Sequence, residues 1–257
     1  MSALTEQNRL LPADHGFNFR DFGGYATERG GWVKSGVLYR AGVMTFVDGE
    51  GRDRLRERGI VCICDLRTSR ERRHRPTRWH EGLPVELWSR DYGESGADLI
   101  SRIEEGVTDA TQVRGMMTDL YRALPYAHAE SYRALFGFLL AGKSPLLVNC
   151  SAGKDRTGVA VALVLSALDV PRETVLADYM LTSRADFGAL LAMTGRSGER
   201  RLPPEAMEPL LAADPLYLET MFEALDARSG GVAAYLEAEL GVDRDRLAQL
   251  RGLLVDG

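Results

Sequence analysis

Residues 137–158 read GFLLAGKSPLLVNCSAGKDRTG and carry two phosphate-loop patterns almost back to back. The first, GFLLAGKS (137–144), fits the nucleotide-binding pattern G-x-x-x-x-G-K-[ST]. The second, CSAGKDR (150–156), places five residues between a cysteine and an arginine. Both patterns bind phosphate, but the first predicts a nucleotide held with magnesium, whereas the second predicts attack by a thiolate on a phosphate ester.

The flanking sequence argues against the nucleotide loop. Such a loop follows a strand and precedes a helix, because the helix N-terminus supplies the amides and the dipole that hold phosphate. Here a helical run, YRALFGFLLA, comes first, and Pro145 with the strand LLVN follows. Gly142 is typical of a glycine that ends a helix. We interpret the match as chance; a nucleotide kinase or NTPase is the third-ranked hypothesis, and ATP binding that depends on Lys143 would support it.

The second loop has the required context. The strand PLLVN leads into it, the chain turns at Gly153, and the apolar run 157–170 leads out as a helix. The amides of residues 151–156 can then surround one phosphate at the positive end of that helix. This arrangement would place the Cys150 sulfur below phosphorus and the Arg156 fork on two phosphate oxygens.

The same arrangement predicts an activated thiol. A free cysteine has a pKa of about 8.5, and a helix N-terminus with nearby cations lowers it to roughly 3.5–7.5. Lys154 and Arg156 are the candidate cations, and Thr157 can donate a hydrogen bond to the sulfur when it leaves. The thiolate would form a phosphocysteine that water hydrolyses. The alternative for Cys150 is a buried structural cysteine at a strand end.

Strand and helix patterns alternate in the first half of the chain, which predicts an α/β fold with a central sheet flanked by helices. The predicted strands are 37–40, 60–66, 84–89 and 145–149, and the predicted helices are 48–59, 69–75, 128–141 and 157–170. Residues 171–257 read as helix after helix. We expect one domain over 1–257, with a helical insertion at 93–127 that either packs ordinarily or forms a lid over the pocket.

Composition limits the function classes. The formal net charge of −5 does not favour nucleic acid as a partner. No run of about 18 apolar residues predicts an integral membrane segment. The first residues, MSALTEQNRLLPADHG, lack an apolar signal core, so we expect no Sec-type export and a cytoplasmic location. An arginine-rich run with Glu71 in it is interpreted as a solvated helix face, with an anionic-substrate or lipid-headgroup patch as the less favoured alternative.

Cysteine and histidine usage predicts neither a disulfide framework nor a metal site. The chain has three cysteines and four scattered histidines, without zinc-ligand spacing. Cys62 and Cys64 share one face of a predicted strand and are expected in the core, with a regulatory disulfide to Cys150 as the less favoured alternative. We therefore expect no metal and no other cofactor. The oligomeric state is not predicted.

The segment NCSAGKDRTG resembles the H-C-x-x-G-K-D-R-T-G signature of the bacterial atypical dual-specificity protein tyrosine phosphatases. The resemblance extends over nearly the whole chain. It includes NFRDFGG (18–24), DLRTSRE (65–71) and MMTDLYRALP (116–125), which occur in the same order as in that family. It implies a cysteine-phosphatase fold and a metal-independent hydrolase with Cys150 as the nucleophile and Arg156 as the phosphate clamp.

The resemblance also implies what the loop binds. The loop residues expected to bind substrate are Ser151, Ala152, Gly153, Lys154, Asp155, Arg156 and Thr157, with the lysine on the substrate phosphate or headgroup. The expected substrate is a phosphotyrosine protein or a phosphoinositide, and the alternative is a small sugar or nucleoside phosphate. A phosphate-binding pseudo-phosphatase is a further hypothesis, although the cysteine, arginine and threonine of the signature are retained.

The sequence departs from the family signature at one position and leaves more than one candidate for the proton donor. Asn149 stands where the family carries histidine. Because asparagine cannot be cationic, this departure predicts a less acidic thiol, a shifted pH optimum or a specialised substrate. The leaving oxygen needs a proton. We rank Asp91 first as the donor and Asp155 second. Asp65 ranks third, because pairing with Arg67 or capping the next helix suits it better.

Overall fold

A five-stranded sheet forms the centre of the molecule. The computed structural model describes residue 9 and residues 16–91, 109–187 and 204–257. Within these ranges the strands are β1 (Arg20–Asp21), β2 (Trp32–Val33), β3 (Leu38–Ala41), β4 (Cys62–Asp65), β5 (Glu86–Ser89), β6 (Leu146–Asn149) and β7 (Val255–Asp256). The main sheet has the order β1-β3-β6-β4-β5, and β2 pairs with β7 in a separate two-stranded sheet.

Helices connect the strands and make up most of the second half. The helices in the described ranges are α1 (Gly49–Glu57), α2 (Ser69–His74), α3 (Ala110–Ala127), α4 (Ala129–Leu140), α5 (Asp155–Ala167), α6 (Arg172–Met180), α7 (Pro204–Leu211), α8 (Pro215–Ser229), α9 (Val232–Leu240) and α10 (Arg244–Leu254). A short 3₁₀ helix, Leu181–Arg184, follows α6. The alternation of strands and helices confirms the predicted α/β fold.

The four parallel strands end at one edge of the sheet. Their last residues lie side by side, since Ala41 pairs with Asn149, Asn149 with Asp65, and Asp65 with Ser89. In open α/β sheets, ligands bind in the crevice outside the carboxyl ends of the strands. The loop that begins at Cys150 follows directly from this edge.

Side chains alternate between two cores on opposite faces of the sheet, as the two-residue strand period requires. Leu146 and Val148 of β6 join the larger core, which also holds the buried face of α5. Leu147 and Ile63 face the smaller core beneath α1. Both faces are covered, which explains why β4 and β6 are apolar runs without polar positions until their last residues.

Most sequence-predicted elements are confirmed, with small shifts of their ends. Helix α5 begins at Asp155, two residues earlier than predicted, so its first turn includes the arginine of the signature. The pairing of β2 with β7 was not predicted, because strands of two residues leave no periodic pattern.

The predicted insertion at 93–127 is described only in part. From residue 110 onward it is helix α3, which buries Val113, Met117, Tyr121 and Leu124 in the larger core. Residues 92–108 lie outside the described residues, so a lid stays a prediction. None of the helices in the described ranges is long and apolar enough to cross a membrane.

The two phosphate patterns lie at opposite ends of β6. Gly142 has a φ of 70° and follows the end of α4, as predicted for a helix-terminating glycine. Lys143 forms an ion pair with Glu86, at the amino end of β5. Lys143 therefore precedes β6, whereas Cys150 follows it, and only Cys150 lies at the carboxyl edge of the sheet.

Candidate active site

The loop after β6 is packed against the backbone that follows β3. Gly153 has a φ of 65°, and a Cβ atom there would lie 2.6 Å from the backbone of Ala41 and Gly42. A Cβ atom on Gly42 would in turn lie 2.9 Å from the carbonyl carbon of Ala152. Two glycines are thus required for the close approach, and Cys150 is 1% exposed beneath the loop.

The carbonyl groups of the loop are held from outside. The hydrogen bonds run from Val43 N to Ser151 O (2.9 Å), from Asn18 Nδ2 to Ala152 O (3.1 Å) and Gly153 O (3.2 Å), and from Arg40 Nη2 to Gly153 O (2.8 Å). Within the described ranges, no carbonyl accepts the amides of residues 151–154. These amides remain available to donate to a bound anion.

Arg156 forms a two-point ion pair with Glu71 of α2. Its Nη1 and Nη2 lie 2.7 Å and 2.8 Å from the two carboxylate oxygens, and Nη1 also donates to Leu66 O at 3.1 Å. Burial would raise the pKa of Glu71, but the hydrogen bonds and charge of Arg156 outweigh it and hold that pKa well below its usual range. The ionised carboxylate fixes the plane of the guanidinium at the mouth of the loop.

Glu71 contacts two residues of the Cys150 loop, Ser151 and Arg156, a placement that the arginine-rich sequence around it does not predict. It was assigned to a solvated face, but its carboxylate also accepts a hydrogen bond from the Ser151 hydroxyl. The assignment was wrong because a capping box orients this side chain: Thr68 Oγ1 accepts from Glu71 N (3.2 Å), and Thr68 N donates back to the carboxylate (2.7 Å). The Thr-x-x-Glu spacing was the available signal.

Asp91 lies just after β5, beside the helix that carries Glu71. It accepts hydrogen bonds from the Ser69 hydroxyl and from Arg72 Nη2, the latter at 2.7 Å. Its side chain is 85% exposed, and the Ser69 hydrogen bond together with the charge of Arg72 lowers its pKa. The first-ranked proton donor thus lies in an exposed position against α2, and its lowered pKa favours the carboxylate form.

Lys154 and Asp155 have partners on the helical side of the site. Lys154 Nζ donates to Leu210 O (2.5 Å) and Ala212 O (3.1 Å), at the C-terminal end of α7. Asp155 accepts from the Tyr121 hydroxyl (2.9 Å) and lies 3.3 Å from Lys154 Nζ. The lysine ammonium is thus bound by helix carbonyls, which favour a cation at this end of a helix.

Asp65 and Asn149 brace the ends of their strands. Asp65 forms a buried ion pair with Arg67 at 2.6 Å, which confirms the structural role preferred for it. Asn149 Nδ2 donates to Asp65 Oδ1 at 3.4 Å, and Asn149 O accepts from Leu66 N at 2.8 Å. The asparagine that precedes the nucleophile position therefore ties β6 to the end of β4.

Thr157 is fully buried one residue beyond Arg156. Its hydroxyl has no hydrogen-bond partner among the described residues.

Cys62, Cys64 and Cys150 are all buried and unpaired, and burial raises the pKa of Cys64 well above its ordinary value. Across the described ranges, no three histidine, cysteine or acidic side chains are grouped so as to hold a metal ion.

Comparison with known proteins identifies relatives over the full chain. Residues 11–256 match the tyrosine phosphatase family. The chain is 30% identical to a protein of Cupriavidus necator, provisionally named a tyrosine-protein phosphatase, over 100% of this chain and 92% of that protein. It is 31% identical to the triple specificity protein phosphatase PtpB of Mycobacterium tuberculosis, over 96% and 99% of the two chains. A tyrosine-protein phosphatase of Nostoc commune is 26% identical over 78% and 68%.

Proposed function

The chain belongs to the tyrosine phosphatase family and is a cysteine-based phosphatase, and from this premise we propose that Cys150 is its nucleophile. The observation that carries this proposal is the loop that Cys150 begins. Its carbonyls are held outward, its amides are available, and the Arg156 fork is oriented by Glu71 at the same opening. These donors suit a tetrahedral dianion above the Cys150 sulfur.

The reaction has two displacements at phosphorus. In the first, the Cys150 thiolate forms the S–P bond while the P–O bond of the ester breaks and the leaving oxygen takes a proton from an acid. In the second, the conjugate base of that acid takes a proton from water, the water oxygen forms a new P–O bond, the S–P bond breaks, and inorganic phosphate is released. Thr157, whose hydroxyl has no hydrogen-bond partner in the described part of the chain, donates its hydroxyl hydrogen to the sulfur as the thiolate re-forms. The thiolate supplies the nucleophile, so we propose a metal-independent reaction.

The remaining loop residues bind the phosphoryl oxygens. The amides of residues 151–156 and the guanidinium of Arg156 neutralise charge on the oxygens in both transition states. We assign Lys154 to the substrate phosphate or headgroup, a role in which its ammonium exchanges the carbonyls of Leu210 and Ala212 for the ligand. The proposed catalytic unit is one domain that spans residues 1–257 and acts in the cytoplasm.

Two carboxylates compete for the role of proton donor. Asp91 follows β5 at the rim of the site and becomes a donor only when it is protonated and released from Ser69 and Arg72. Asp155 belongs to the loop itself, where the Tyr121 hydroxyl orients its carboxylate. We rank Asp91 first because its exposed carboxylate follows β5 and contacts Ser69 and Arg72 of α2, the helix that carries Glu71.

The proposed substrates are phosphotyrosine proteins or phosphoinositides, in line with relatives named for tyrosine and triple specificity. A panel of phosphopeptides, phosphoinositides, sugar phosphates and nucleotides, assayed with a chelator present, tests this choice. We expect hydrolysis of the first two groups and its loss in Cys150→Ser. Preferential hydrolysis of sugar or nucleoside phosphates would favour the small-metabolite alternative, and phosphate binding without turnover would favour a pseudo-phosphatase.

A further inference from the structure

A buried group of three charges lies behind the phosphate loop. Arg20, Arg40 and Asp178 are each 0% exposed. Asp178 Oδ2 lies 2.5 Å from Arg40 Nη1, and Asp178 Oδ1 lies 3.5 Å from Arg20 Nε. Arg20 Nη2 also donates to the backbone carbonyl of Asp178 at 3.0 Å. One carboxylate therefore holds two guanidinium groups, and the triad carries one net positive charge.

Both arginines of the triad reach the loop. Arg40 donates directly to Gly153 O through Nη2, at 2.8 Å. Arg20 donates to Asn18 Oδ1, which fixes the orientation of an amide whose Nδ2 donates to two loop carbonyls. Asp178 thus acts on the loop along two routes, although it lies in α6, well beyond the signature in the sequence.

Asp21 is the acidic residue next to Arg20 in the sequence, but its carboxylate is directed to backbone amides. It accepts hydrogen bonds from Gly23 N (2.7 Å) and Gly36 N (2.6 Å). The carboxylate that pairs with both arginines comes from α6, and Tyr25 donates to it as well, at 3.1 Å.

Such a triad is a costly way to stabilise a fold. Removing charges from water is unfavourable, and apolar side chains of similar volume often serve stability equally well. Its contacts converge on the carbonyls of the phosphate loop. Turning those carbonyls outward is what leaves the amides free to face an anion, and the net positive charge favours the same anion.

We propose that Asp178 is a positioning residue for the phosphate loop, acting through Arg40 and through Arg20 with Asn18. The inference rests on the proposed function of the Cys150 loop and extends it to a residue on α6. The triad also brings buried positive charge close to a loop whose preceding residue, Asn149, is uncharged. Phosphate affinity and the rate of thiolate attack both depend on the loop shape that the triad maintains.

Two variants test the proposal. Asp178→Asn keeps the shape of the side chain and removes its charge. Asn18→Gly removes both amide contacts with the loop, and since Asn18 has a φ of 54°, glycine suits the backbone there. Asp169→Asn is the matched control, because Asp169 also lies between two arginines, Arg29 at 2.9 Å and Arg251 at 2.6 Å.

The control lies far from the loop. Asp169 follows the C-terminal end of α5, which begins at Asp155 and spans 13 residues, or about 20 Å at 1.5 Å per residue. The measurement is the concentration of inorganic phosphate that protects Cys150 from alkylation by iodoacetate, together with kcat, KM and the thermal midpoint for each protein.

The expected result is an increase of about tenfold or more in the phosphate dissociation constant for Asp178→Asn and Asn18→Gly, with a fall in kcat. The Asp169→Asn control should keep wild-type phosphate affinity even if its thermal midpoint falls. If Asp178→Asn does not fold, Asn18→Gly decides. A folded Asn18→Gly protein with wild-type phosphate affinity and kcat would overturn the proposal, as would an equal loss in the control.

The failure of this inference can be told apart from the failure of the proposed nucleophile. If turnover survived Cys150→Ser, the nucleophile would be wrong. The protection assay on Cys150 would still report whether Asp178 and Asn18 shape a phosphate-binding loop.

Discussion

Arg156 and Glu71 face each other through two parallel hydrogen bonds of 2.7 Å and 2.8 Å, although 85 residues separate them in the sequence. Glu71 lies in α2, after β4, and Arg156 lies in the first turn of α5, after β6. Since β4 and β6 are neighbours in the sheet, their following helices begin at the same edge. The ion pair orients the clamp before any substrate arrives, which reduces the cost of ordering it on binding.

Replacing this carboxylate should impair catalysis more than it impairs folding. Glu71→Gln keeps the capping-box geometry but removes the charge that holds the Arg156 guanidinium. We expect kcat/KM to fall by about 10², the size of effect that follows a misplaced catalytic group. Steady-state kinetics with p-nitrophenyl phosphate and circular dichroism on the same samples measure the two effects.

The matched control is Glu50→Gln, which breaks an exposed pair with Arg54 at 2.9 Å in α1. Exposed pairs of this kind contribute less than about 1 kcal/mol, so activity and stability should both stay at the wild-type level. Equal kcat/KM in Glu71→Gln and Glu50→Gln would show that Glu71 does not position the clamp.

The proton donor can be identified by comparing substrates whose leaving oxygens differ in basicity. A substrate whose leaving oxygen is weakly basic, such as p-nitrophenyl phosphate, needs little proton transfer, whereas an alkyl phosphate needs much. The variant that removes the acid should lose about 10²- to 10⁴-fold on the alkyl ester and far less on the nitrophenyl ester. We expect this selective loss for Asp91→Asn, and an equal loss on both esters for Asp155→Asn.

The opposite pattern would move the role to Asp155. If neither variant showed a selective loss, both assignments would be wrong. The kcat profile against pH gives a second readout, because removal of the acid abolishes the fall in rate at high pH.

A buried histidine should make the fold sensitive to mild acid. Burial, with the positive charges of Arg156 and Arg90, lowers the pKa of His128 from 6.5 to about 3. The unfolded chain takes up a proton at pH 6.5, while the folded chain does so only near pH 3. The stabilising contribution is therefore full above pH 6.5 and is lost progressively as the pH falls towards 3.

Urea unfolding at several pH values measures this loss. The His128 contribution to the slope is at most about 1.4 kcal/mol per pH unit. Carboxylates titrate in the lower part of the same range, so the informative quantity is the difference between wild type and His128→Gln. We expect the variant to lose less stability between pH 6.5 and pH 5; identical slopes would contradict the assignment.

The nucleotide-loop match predicts that Lys143 binds ATP, whereas the structure pairs Lys143 with Glu86. Its ammonium pairs with Glu86 at the far end of β6 from the phosphate loop. We expect Lys143→Ala to keep the phosphatase kinetics of the wild type, and we expect no magnesium-dependent binding of ATP by either protein in calorimetry. ATP binding lost in Lys143→Ala would restore the nucleotide hypothesis.

Local sequence was sufficient to predict the elements on which the site is built. The apolar strand before Cys150, the turn at Gly153 and the apolar helix after it are signalled by neighbouring residues, and the structure has all three. The pairing of Asp65 with Arg67 was also predictable, because only one residue lies between them.

Contacts between distant segments were not predictable in the same way. Glu71 looked like one charge among many on a polar helix, and only the sheet order brings it to Arg156. Asp178 in α6 carries no motif, yet it pairs with arginines from β1 and β3. A single sequence encodes such pairs only through the three-dimensional fold, because each partner has several equally plausible alternatives nearby, as Asp21 illustrates.

Trapping a covalent phosphocysteine on Cys150 decides whether this residue is the nucleophile. Wild-type protein is mixed with p-nitrophenyl phosphate in the presence of a chelator, quenched with acid on the millisecond scale, digested and examined by mass spectrometry. We expect a phosphorylated cysteine in the peptide that contains Cys150, and neither phosphopeptide nor turnover in Cys150→Ser. Turnover that persists in Cys150→Ser, or phosphate trapped on another side chain, would contradict this assignment of the nucleophile.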